Sequence, residues 1–208
     1  MAKAVIFDMD GVLFDSQPLH FKAEIQTITH FGYPISESEL KEYLGWYEDD
    51  FWKEVISRYN LKATVHQMKE FEHPLIENLL RESVLPDPDL QEILTSLRAK
   101  KLRLAVASSS PRHWVNIVLD GLSIRNLFDE IVSGEDVKNG KPAPDIFLKA
   151  ANQLGIESSD CIVVEDAPAG IEAANTAGMY SVALRGSVNA SLDLSKAKKE
   201  IRHLKELL

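Results

Sequence analysis

The chain has 208 residues, of which 45% are hydrophobic and 26% are charged, and its formal net charge is −9 at pH 7. This length suits one sizeable core, or a main domain with a smaller insert, and the composition is ordinary for a globular enzyme. The negative charge argues against nucleic acid or an anionic membrane as the main partner, because proteins that bind them normally present a basic face.

The cysteine content and the N-terminal segment indicate the expected compartment. The single cysteine, Cys161, excludes an internal disulfide, and its apolar neighbours indicate a small buried core residue. No N-terminal stretch has the pattern of a signal peptide, and no run approaches the roughly 18 apolar residues of a membrane-spanning helix. We therefore expect a cytoplasmic protein without a membrane partner.

Short apolar runs alternate with helix-like segments over most of the chain. Such runs are typical of strands buried on both faces of a parallel sheet. Strands are predicted at residues 4–7, 102–107, 130–132, 161–164 and 180–184. Helices are predicted among them at residues 111–119, 144–154 and 167–177. This alternation predicts a doubly wound α/β domain.

Residues 17–85 interrupt the alternation. They indicate consecutive helices, predicted at residues 19–31, 36–43, 49–59 and 64–83. The alternation resumes after a stiff, turn-rich segment that contains Pro86 and Pro88. We predict a helical cap domain at 17–85, inserted into a core domain that comprises 1–16 and 86–208. The C-terminal residues 195–208 are predicted to form a solvated helix that docks on the sheet.

Two carboxylates follow the first predicted strand. Asp8 lies at the tip of the strand and Asp10 two residues later, before Gly11, which permits a tight turn and close approach of the backbone to a ligand. Ligands of open parallel sheets bind beyond the carboxyl ends of the strands. The two acids could therefore have separate chemical roles, although an aspartate before a glycine could also be a plain turn.

Polar residues also follow the second and third strands. Ser108, Ser109 and Ser110 precede Pro111, which opens a helix. A hydroxyl and backbone N–H groups at that place suit either a phosphate oxygen or an ordinary helix cap. Lys141 lies between a glycine and a proline before the next helix, which suits a fixed cation, whereas a lone lysine in a loop is usually a solvated charge.

Four carboxylates are expected to converge at the strand ends: Asp8, Asp10, Glu165 and Asp166. Two like charges about 4 Å apart repel by roughly 4 kcal/mol at an effective dielectric of about 20, so such a cluster requires a cation. Oxygen ligands favour a hard ion that keeps some of its waters, and Mg²⁺ is the expected cofactor. With Lys141 as a second positive charge, the site would accept a phosphate group.

The ordered set Asp8-Met9-Asp10-Gly11-Val12, Ser108, Lys141 and Glu165-Asp166 resembles the four motifs of the haloacid dehalogenase superfamily. The resemblance covers the whole chain and implies a Rossmann-like core with a helical cap of the family's first type. The segments Gly140-Lys141-Pro142-Ala143-Pro144-Asp145 and Glu165-Asp166-Ala167-Pro168-Ala169-Gly170 are most similar to those of β-phosphoglucomutase-like enzymes and sugar phosphatases.

The resemblance implies four catalytic residues, Asp8, Asp10, Ser108 and Lys141, with Ser109 as a further phosphate-binding residue. Asp8 would attack phosphorus and form a phosphoaspartate, and Asp10 would act as general acid and then as general base. Ser108 and a backbone N–H at Ser109 would hold the transferring phosphoryl group. Lys141 would neutralise Asp8 and a phosphoryl oxygen.

The resemblance also implies the metal ligands. Mg²⁺ would be bound by the Asp8 carboxylate, the Asp10 backbone carbonyl and Asp166, with Glu165 bound directly or through water. Dehalogenation is disfavoured, because expulsion of a halide needs neither a proton nor a metal, and the acids other than Asp8 would then have no role.

The cap is expected to select the substrate. Ser16 and His20 match positions where the mutase-like subgroup has a small hydroxyl residue and a histidine. His20 could orient Asp10 or contact the substrate, and its alternative is a solvated position on a helix face.

The next cap segment departs from the mutase pattern. Mutases have an arginine shortly after a glycine here, which holds the second phosphate, whereas Gly45 is followed by Trp46, Tyr47 and Glu48. A carboxylate would repel a second phosphate. Trp46 and Glu48 are therefore expected to contact a monophosphate whose body is hydroxylated or cationic.

Together these features predict a Mg²⁺-dependent phosphatase for a small phosphorylated metabolite, acting as a monomer or weak homodimer. One alternative is a β-phosphoglucomutase that interconverts glucose 1-phosphate and glucose 6-phosphate. The other is a non-catalytic protein that binds a phosphometabolite, which is disfavoured because every catalytic position of the motif set is intact.

Overall fold

The computed structural model describes residues 2–44, 46 and 48–208. The chain divides into two compact units. The core unit comprises the residues up to Asp15 together with Val84–Leu208, and the helical unit comprises Ser16–Ser83.

Over the described residues, the core unit is built on one sheet of six strands, each parallel to its neighbours. The strands are β1 (Ala4–Phe7), β2 (Arg103–Ser108), β3 (Glu130–Ser133), β4 (Cys161–Glu165), β5 (Tyr180–Leu184) and β6 (Lys199–Ile201). The first five agree with the predicted strands to within one residue, and the predicted parallel α/β fold class is confirmed.

The order of the strands indicates where a ligand would bind, at the carboxyl end of β1. That order is β3-β2-β1-β4-β5-β6, so β2 and β3 lie on one side of β1, and β4, β5 and β6 lie on the other. Phe7 at the end of β1 is level with Val106 of β2 and Val164 of β4, which brings three carboxyl ends side by side. In open α/β sheets, ligands bind where the strand order reverses in this way.

The helical unit consists of consecutive helices, as its sequence predicts. They are α1 (Gln17–His30), α2 (Glu37–Leu40), which continues into a short 3₁₀ turn at Lys41–Tyr43, α3 (Glu48–Arg58) and α4 (Val65–Ser83). Trp52 of α3, Ile28 of α1 and Met68 of α4 are fully buried in one apolar cluster that holds this unit together. Among the helices of the described residues, none is both long and apolar enough to cross a membrane.

Both faces of the inner part of the sheet are covered, which explains why β1 and β4 are almost uniformly apolar. The remaining helices are α5 (Pro88–Ala99), α6 (Arg112–Gly121), α7 (Asp145–Leu154) and α8 (Pro168–Thr176). Ala4 and Ile6 of β1 share an apolar cluster with Phe147 of α7 and Ala173 of α8. Because side chains alternate along a strand, Val5 lies on the opposite face, and it is also buried.

The C-terminal segment corrects one prediction. Instead of a helix over residues 195–208, the chain forms β6, which pairs with β5 at the edge of the sheet, and a 3₁₀ turn at Leu204–Leu207. The pairing gives backbone partners to the outer side of β5: Lys198 N–H donates to the Ser181 carbonyl at 3.0 Å and Arg185 N–H to the Ile201 carbonyl at 2.8 Å. Ile201 is buried, whereas Lys199 and Glu200 are exposed.

Candidate active site

The turn after β1 holds Asp8 and Asp10 in fixed positions. Asp8 N–H donates to the Val164 carbonyl of β4 at 2.9 Å, and the Asp8 side chain is buried. The Met9 carbonyl then accepts the N–H of Leu13 at 2.9 Å, which closes the turn. Gly11 has a φ of +73°, and a Cβ at this residue would overlap the Asp166 carboxylate, so only glycine fits.

The carboxylate of Glu165 is engaged at both of its oxygens. Its Oε2 accepts the backbone N–H of Asp166 at 2.8 Å and that of Ala167 at 2.7 Å. Its Oε1 accepts Lys141 Nζ at 2.7 Å, and the side chain is 1% exposed. Glu165 is thus held by backbone donors on one oxygen and holds a lysine with the other.

Lys141 is a buried cation between two carboxylates. Its Nζ lies 2.6 Å from Asp8 Oδ1 and 2.7 Å from Glu165 Oε1, and it lies 5.0 Å from the centre of the Phe147 ring of α7. Burial alone would lower the pKa of Lys141, but Asp8 and Glu165 outweigh that effect and raise it. The ammonium is therefore charged and fixed in place.

The acids around Lys141 carry more negative charge than one lysine compensates. Burial raises the pKa of Asp8 to about 7 against the opposing charge of Lys141, and burial with repulsion from Glu165 and Asp8 raises the pKa of Asp166 to about 8. One carboxylate oxygen each from Asp8, Glu165 and Asp166 lie within 4.8 Å of one another. Such an all-oxygen set fits a hard divalent cation, which would favour the ionised carboxylates.

The segment after β2 contacts Asp10 through two serines. Ser110 Oγ donates to Asp10 Oδ2 at 2.8 Å, and the buried Ser108 Oγ lies 3.4 Å from the same oxygen. Ser110 N–H in turn donates to Ser108 Oγ at 3.1 Å. Ser109 between them is exposed. The structure thus brings Ser108 and Asp10 together, and it adds Ser110, to which sequence reasoning assigned no role.

A second residue that sequence reasoning missed is Asn189, in the loop after β5. Its Nδ2 donates to the carbonyls of Asp166 at 2.8 Å and Leu184 at 2.9 Å, and its Oδ1 accepts Gly186 N–H at 2.8 Å. The side chain is 5% exposed. Asn189 therefore fixes the backbone of Asp166, but an asparagine in a polar loop carries no signal of this role in the sequence.

The residues predicted for the cap lie in the helical unit. Ser16 is buried, His20 is half-buried in α1, and Trp46 is 49% exposed. Gly45 and Tyr47 lie outside the described residues. The contact of these side chains with a substrate remains a prediction.

Glu48, the acid that stands in place of the mutase arginine, is paired within the helical unit. Its carboxylate lies 2.8 Å from Lys69 Nζ and 2.7 Å from His73 Nε2. Burial opposes the shift, but hydrogen bonds from His73 and Lys69 lower the pKa of Glu48. Glu48 is therefore ionised and pairs with Lys69, which lies 21 residues further along the chain.

Two known proteins are similar in sequence to most of this chain. The chain is 33% identical over 180 residues to the phosphorylated carbohydrates phosphatase of Thermotoga maritima, covering 86% of this chain and 83% of that protein. It is 37% identical over 194 residues to the chloroplastic protein SUPPRESSOR OF QUENCHING 1 of Arabidopsis thaliana, covering 91% of this chain but spanning only 18% of that protein.

The fold comparison gives a further relative. The structure superposes on β-phosphoglucomutase from Clostridium difficile with a TM-score of 0.81 and 28% identity, covering 100% of this chain and 94% of that chain. The pattern of the haloacid dehalogenase-like hydrolases matches residues 5–184, a span that includes both aspartates of the first turn, Lys141 and the Glu165-Asp166 pair. The resemblance inferred from the four motifs is thus confirmed, and the chain belongs to the haloacid dehalogenase-like hydrolase family.

Proposed function

We propose that the protein is a Mg²⁺-dependent phosphatase that hydrolyses a small phosphorylated carbohydrate through a phosphoaspartate on Asp8. The observation that carries this proposal is the buried Asp8–Lys141–Glu165 ion cluster beside Asp166, at the reversal point of the sheet. The relative from Thermotoga maritima, a phosphatase of phosphorylated carbohydrates, supports the substrate class. The proposal also includes a cytoplasmic location and a monomer or weak homodimer.

Asp8 is oriented for nucleophilic attack. Lys141 holds its Oδ1 at 2.6 Å, which leaves Oδ2 to form the bond to phosphorus. Lys141 would also neutralise a phosphoryl oxygen, since its Nζ contacts the nucleophile. Ser108, at the end of β2, would donate its hydroxyl hydrogen to another phosphoryl oxygen.

The metal would be held by Asp8, Asp166 and the Asp10 carbonyl. Bound there, it would supply positive charge to the phosphoryl oxygens and to the crowded carboxylates. Glu165 has both oxygens engaged, so we assign it to anchoring Lys141 and to a metal contact through water. Asn189 supports this set by fixing the backbone of Asp166.

Asp10 would move the protons of the reaction. As a carboxylic acid it would protonate the leaving oxygen while Asp8 bonds to phosphorus. As a carboxylate it would then take a proton from the water that hydrolyses the phosphoaspartate.

A second candidate function is a β-phosphoglucomutase activity. The structural similarity to that enzyme of Clostridium difficile favours it. Two basic residues follow the cap segment that differs from the mutase pattern, and both are paired with acids. Lys53 Nζ lies 2.9 Å from Asp50, and Arg58 Nη1 lies 2.9 Å from Glu42. Neither base is therefore arranged as a ready substitute for the mutase arginine, and we place the mutase second.

The two functions are separated by a panel of phosphate esters: glucose 1-phosphate, glucose 6-phosphate, fructose 1-phosphate, glycerol phosphate and 4-nitrophenyl phosphate. Phosphate release is measured with Mg²⁺ and with a chelator, for wild type, for Asp8→Asn and for Asp15→Asn, an exposed aspartate that serves as a matched control. We expect release that requires Mg²⁺ and is lost only in Asp8→Asn. Conversion of glucose 1-phosphate to glucose 6-phosphate without release would establish the mutase, and inactivity in both assays would favour a binding protein.

A further inference from the structure

We propose that Ser110 is a positioning residue that holds Asp10 for proton transfer to the leaving group, and that of these two serine hydroxyls only that of Ser108 contacts the phosphoryl group. The inference rests on the proposed function, because it assigns a part of the same reaction. The observation that carries it is the contact of two neighbouring hydroxyls with one carboxylate oxygen at clearly different distances.

The two distances indicate that Ser110 and Ser108 have different roles. A hydroxyl-to-carboxylate distance of 2.8 Å is that of a good hydrogen bond, and Ser110 Oγ lies at this distance from Asp10 Oδ2. Ser108 Oγ lies at 3.4 Å, at the weak end of the range. Because Ser108 Oγ also accepts Ser110 N–H, its own hydrogen can be directed elsewhere, and a phosphoryl oxygen is the acceptor that the reaction supplies.

The reaction moves one proton through the carboxyl group of Asp10 in each of its two transfers. In the first transfer, Asp8 Oδ2 bonds to phosphorus, the phosphorus–oxygen bond to the leaving group breaks, and the hydrogen passes from Asp10 to the leaving oxygen. In the second, water bonds to phosphorus and gives a proton to Asp10, and the bond between phosphorus and Asp8 breaks.

Ser110 is itself held in place by the end of β3. Its carbonyl accepts Gly134 N–H at 3.3 Å, immediately after that strand. Two residues further on, the Arg112 guanidinium donates to the Ile131 carbonyl at 3.0 Å and pairs with Asp136. The segment from Ser108 to Arg112 is therefore bonded to the neighbouring strand β3, on the side away from Asp10. These bonds fix the backbone from which the Ser110 hydroxyl extends.

The alternative of an ordinary helix cap does not account for this hydroxyl. Helix α6 begins at Arg112 with Pro111 as its N-cap, and its first backbone donors are not bonded to a side chain of that cap. The Ser110 hydroxyl is directed at Asp10, which lies 100 residues away in the chain. Capping alone would not require that contact.

The test compares two leaving groups, because only a poor leaving group needs the proton of Asp10. The first substrate is the sugar phosphate that wild type hydrolyses fastest in the panel above, and the second is 4-nitrophenyl phosphate, whose leaving group is stable as an anion. The measured quantity is kcat/KM, which reports the first phosphoryl transfer. The variants are Ser110→Ala, Ser110→Thr and Ser108→Ala, and thermal melting checks that each is folded.

We expect Ser110→Ala to lower kcat/KM for the sugar phosphate by about tenfold, which is the upper end of what one hydrogen bond contributes. For 4-nitrophenyl phosphate we expect kcat/KM to fall by less than about twofold. Ser110→Thr, which keeps the hydroxyl, restores most of the sugar phosphate activity. Ser108→Ala lowers kcat/KM for both substrates by a similar factor. Equal losses for both substrates in Ser110→Ala, or no loss for either, would overturn the assignment. A wild type that releases phosphate from neither substrate would instead overturn the proposed function, and with it this inference.

Discussion

At the scale of single residues, Lys141 is the charge on which the arrangement of the candidate site depends. It contacts Asp8 and Glu165 at 2.6 and 2.7 Å, and all three side chains are buried. Removing one partner of a buried ion cluster leaves the others uncompensated, which typically costs about 3–5 kcal/mol. Exposed pairs of equal length contribute far less, because water and salt screen them.

We therefore expect Lys141→Met to lower the free energy of unfolding by about 3 kcal/mol in metal-free buffer at pH 7.5, measured by urea denaturation. The matched control is Lys196→Met, which removes a surface pair with Glu172 of similar length, 2.8 Å, and should change that free energy by less than about 1 kcal/mol. Equal losses in the two variants would show that the buried cluster is not stabilising.

Glu24 of α1 makes stability depend on pH within the helical unit. Burial raises the pKa of Glu24 to about 7, and the charge of Glu48 adds to this; burial and the charges of Glu24 and Glu48 also raise the pKa of Glu72. Since the folded pKa of Glu24 lies above the ordinary value of 4.5, the folded chain binds a proton that the unfolded chain has lost between these pH values. Stability therefore falls as pH rises from about 4.5 to about 7, and the full cost is present above that range.

Glu24→Gln removes the titration while keeping the shape of the side chain. We expect the variant to match wild type in Tm at pH 5 and to exceed it by at least about 2 °C at pH 8, since about 1 kcal/mol corresponds to 2–4 °C in a chain of this size. Glu82→Gln, at an exposed position of α4, should show no such difference between the two pH values. A Glu24→Gln advantage of the same size at pH 5 would mean that the charge of Glu24 is not its cause.

The identities of Asp8, Lys141 and Glu165 could be inferred from sequence because each lies at or after the end of a predicted strand. Parallel strands bring such ends to one edge, so order along the chain is enough to predict that the side chains meet. The contact of Ser110 with Asp10 could not be predicted in this way, because it depends on a side-chain rotamer and on the path of one loop.

At the scale of elements, continuous apolar runs determined how well strands could be predicted. β1 and β4 are buried on both faces, and their runs are almost uniformly apolar. β6 has the sequence Lys-Glu-Ile and lies at the edge, where only Ile201 is buried. Three residues with one apolar side chain carry no periodicity, so the charges of the segment favoured an exposed helix instead.

The first turn of α8 is shaped by the carboxylate of Glu165. A Cβ at Gly170 would overlap Glu165 Oε1, the oxygen that holds Lys141. We expect Gly170→Ala to displace Glu165 and to lower kcat for phosphate release at least tenfold. Gly140→Ala is the control, since a Cβ there meets nothing within 4 Å, and its kcat should stay within about twofold of wild type. Equal activity of the two variants would contradict a requirement for this close approach.

At the scale of the whole molecule, the net charge of −9 includes a buried set of acids that a divalent cation would relieve. A ligand that binds only the folded state at 100 times its Kd stabilises it by about 2.7 kcal/mol. We expect saturating Mg²⁺ to raise the Tm of wild type by about 5 °C or more, and to have little effect on Asp166→Asn. NaCl at equal ionic strength is the control for general screening, and an equal rise with NaCl would contradict a specific site.

The hydrogen bonds of Asn189 limit which amino acids are tolerated at this position, although it takes no part in the reaction. Its amide gives two hydrogens to the carbonyls of Asp166 and Leu184 and takes one from Gly186, all from a buried position. Aspartate could accept but not donate, leucine could do neither, and glutamine would place the same group one carbon too far away. Only asparagine therefore fits this position. The need for two hydrogen-bond donors and one acceptor determines the residue, rather than its size or hydropathy.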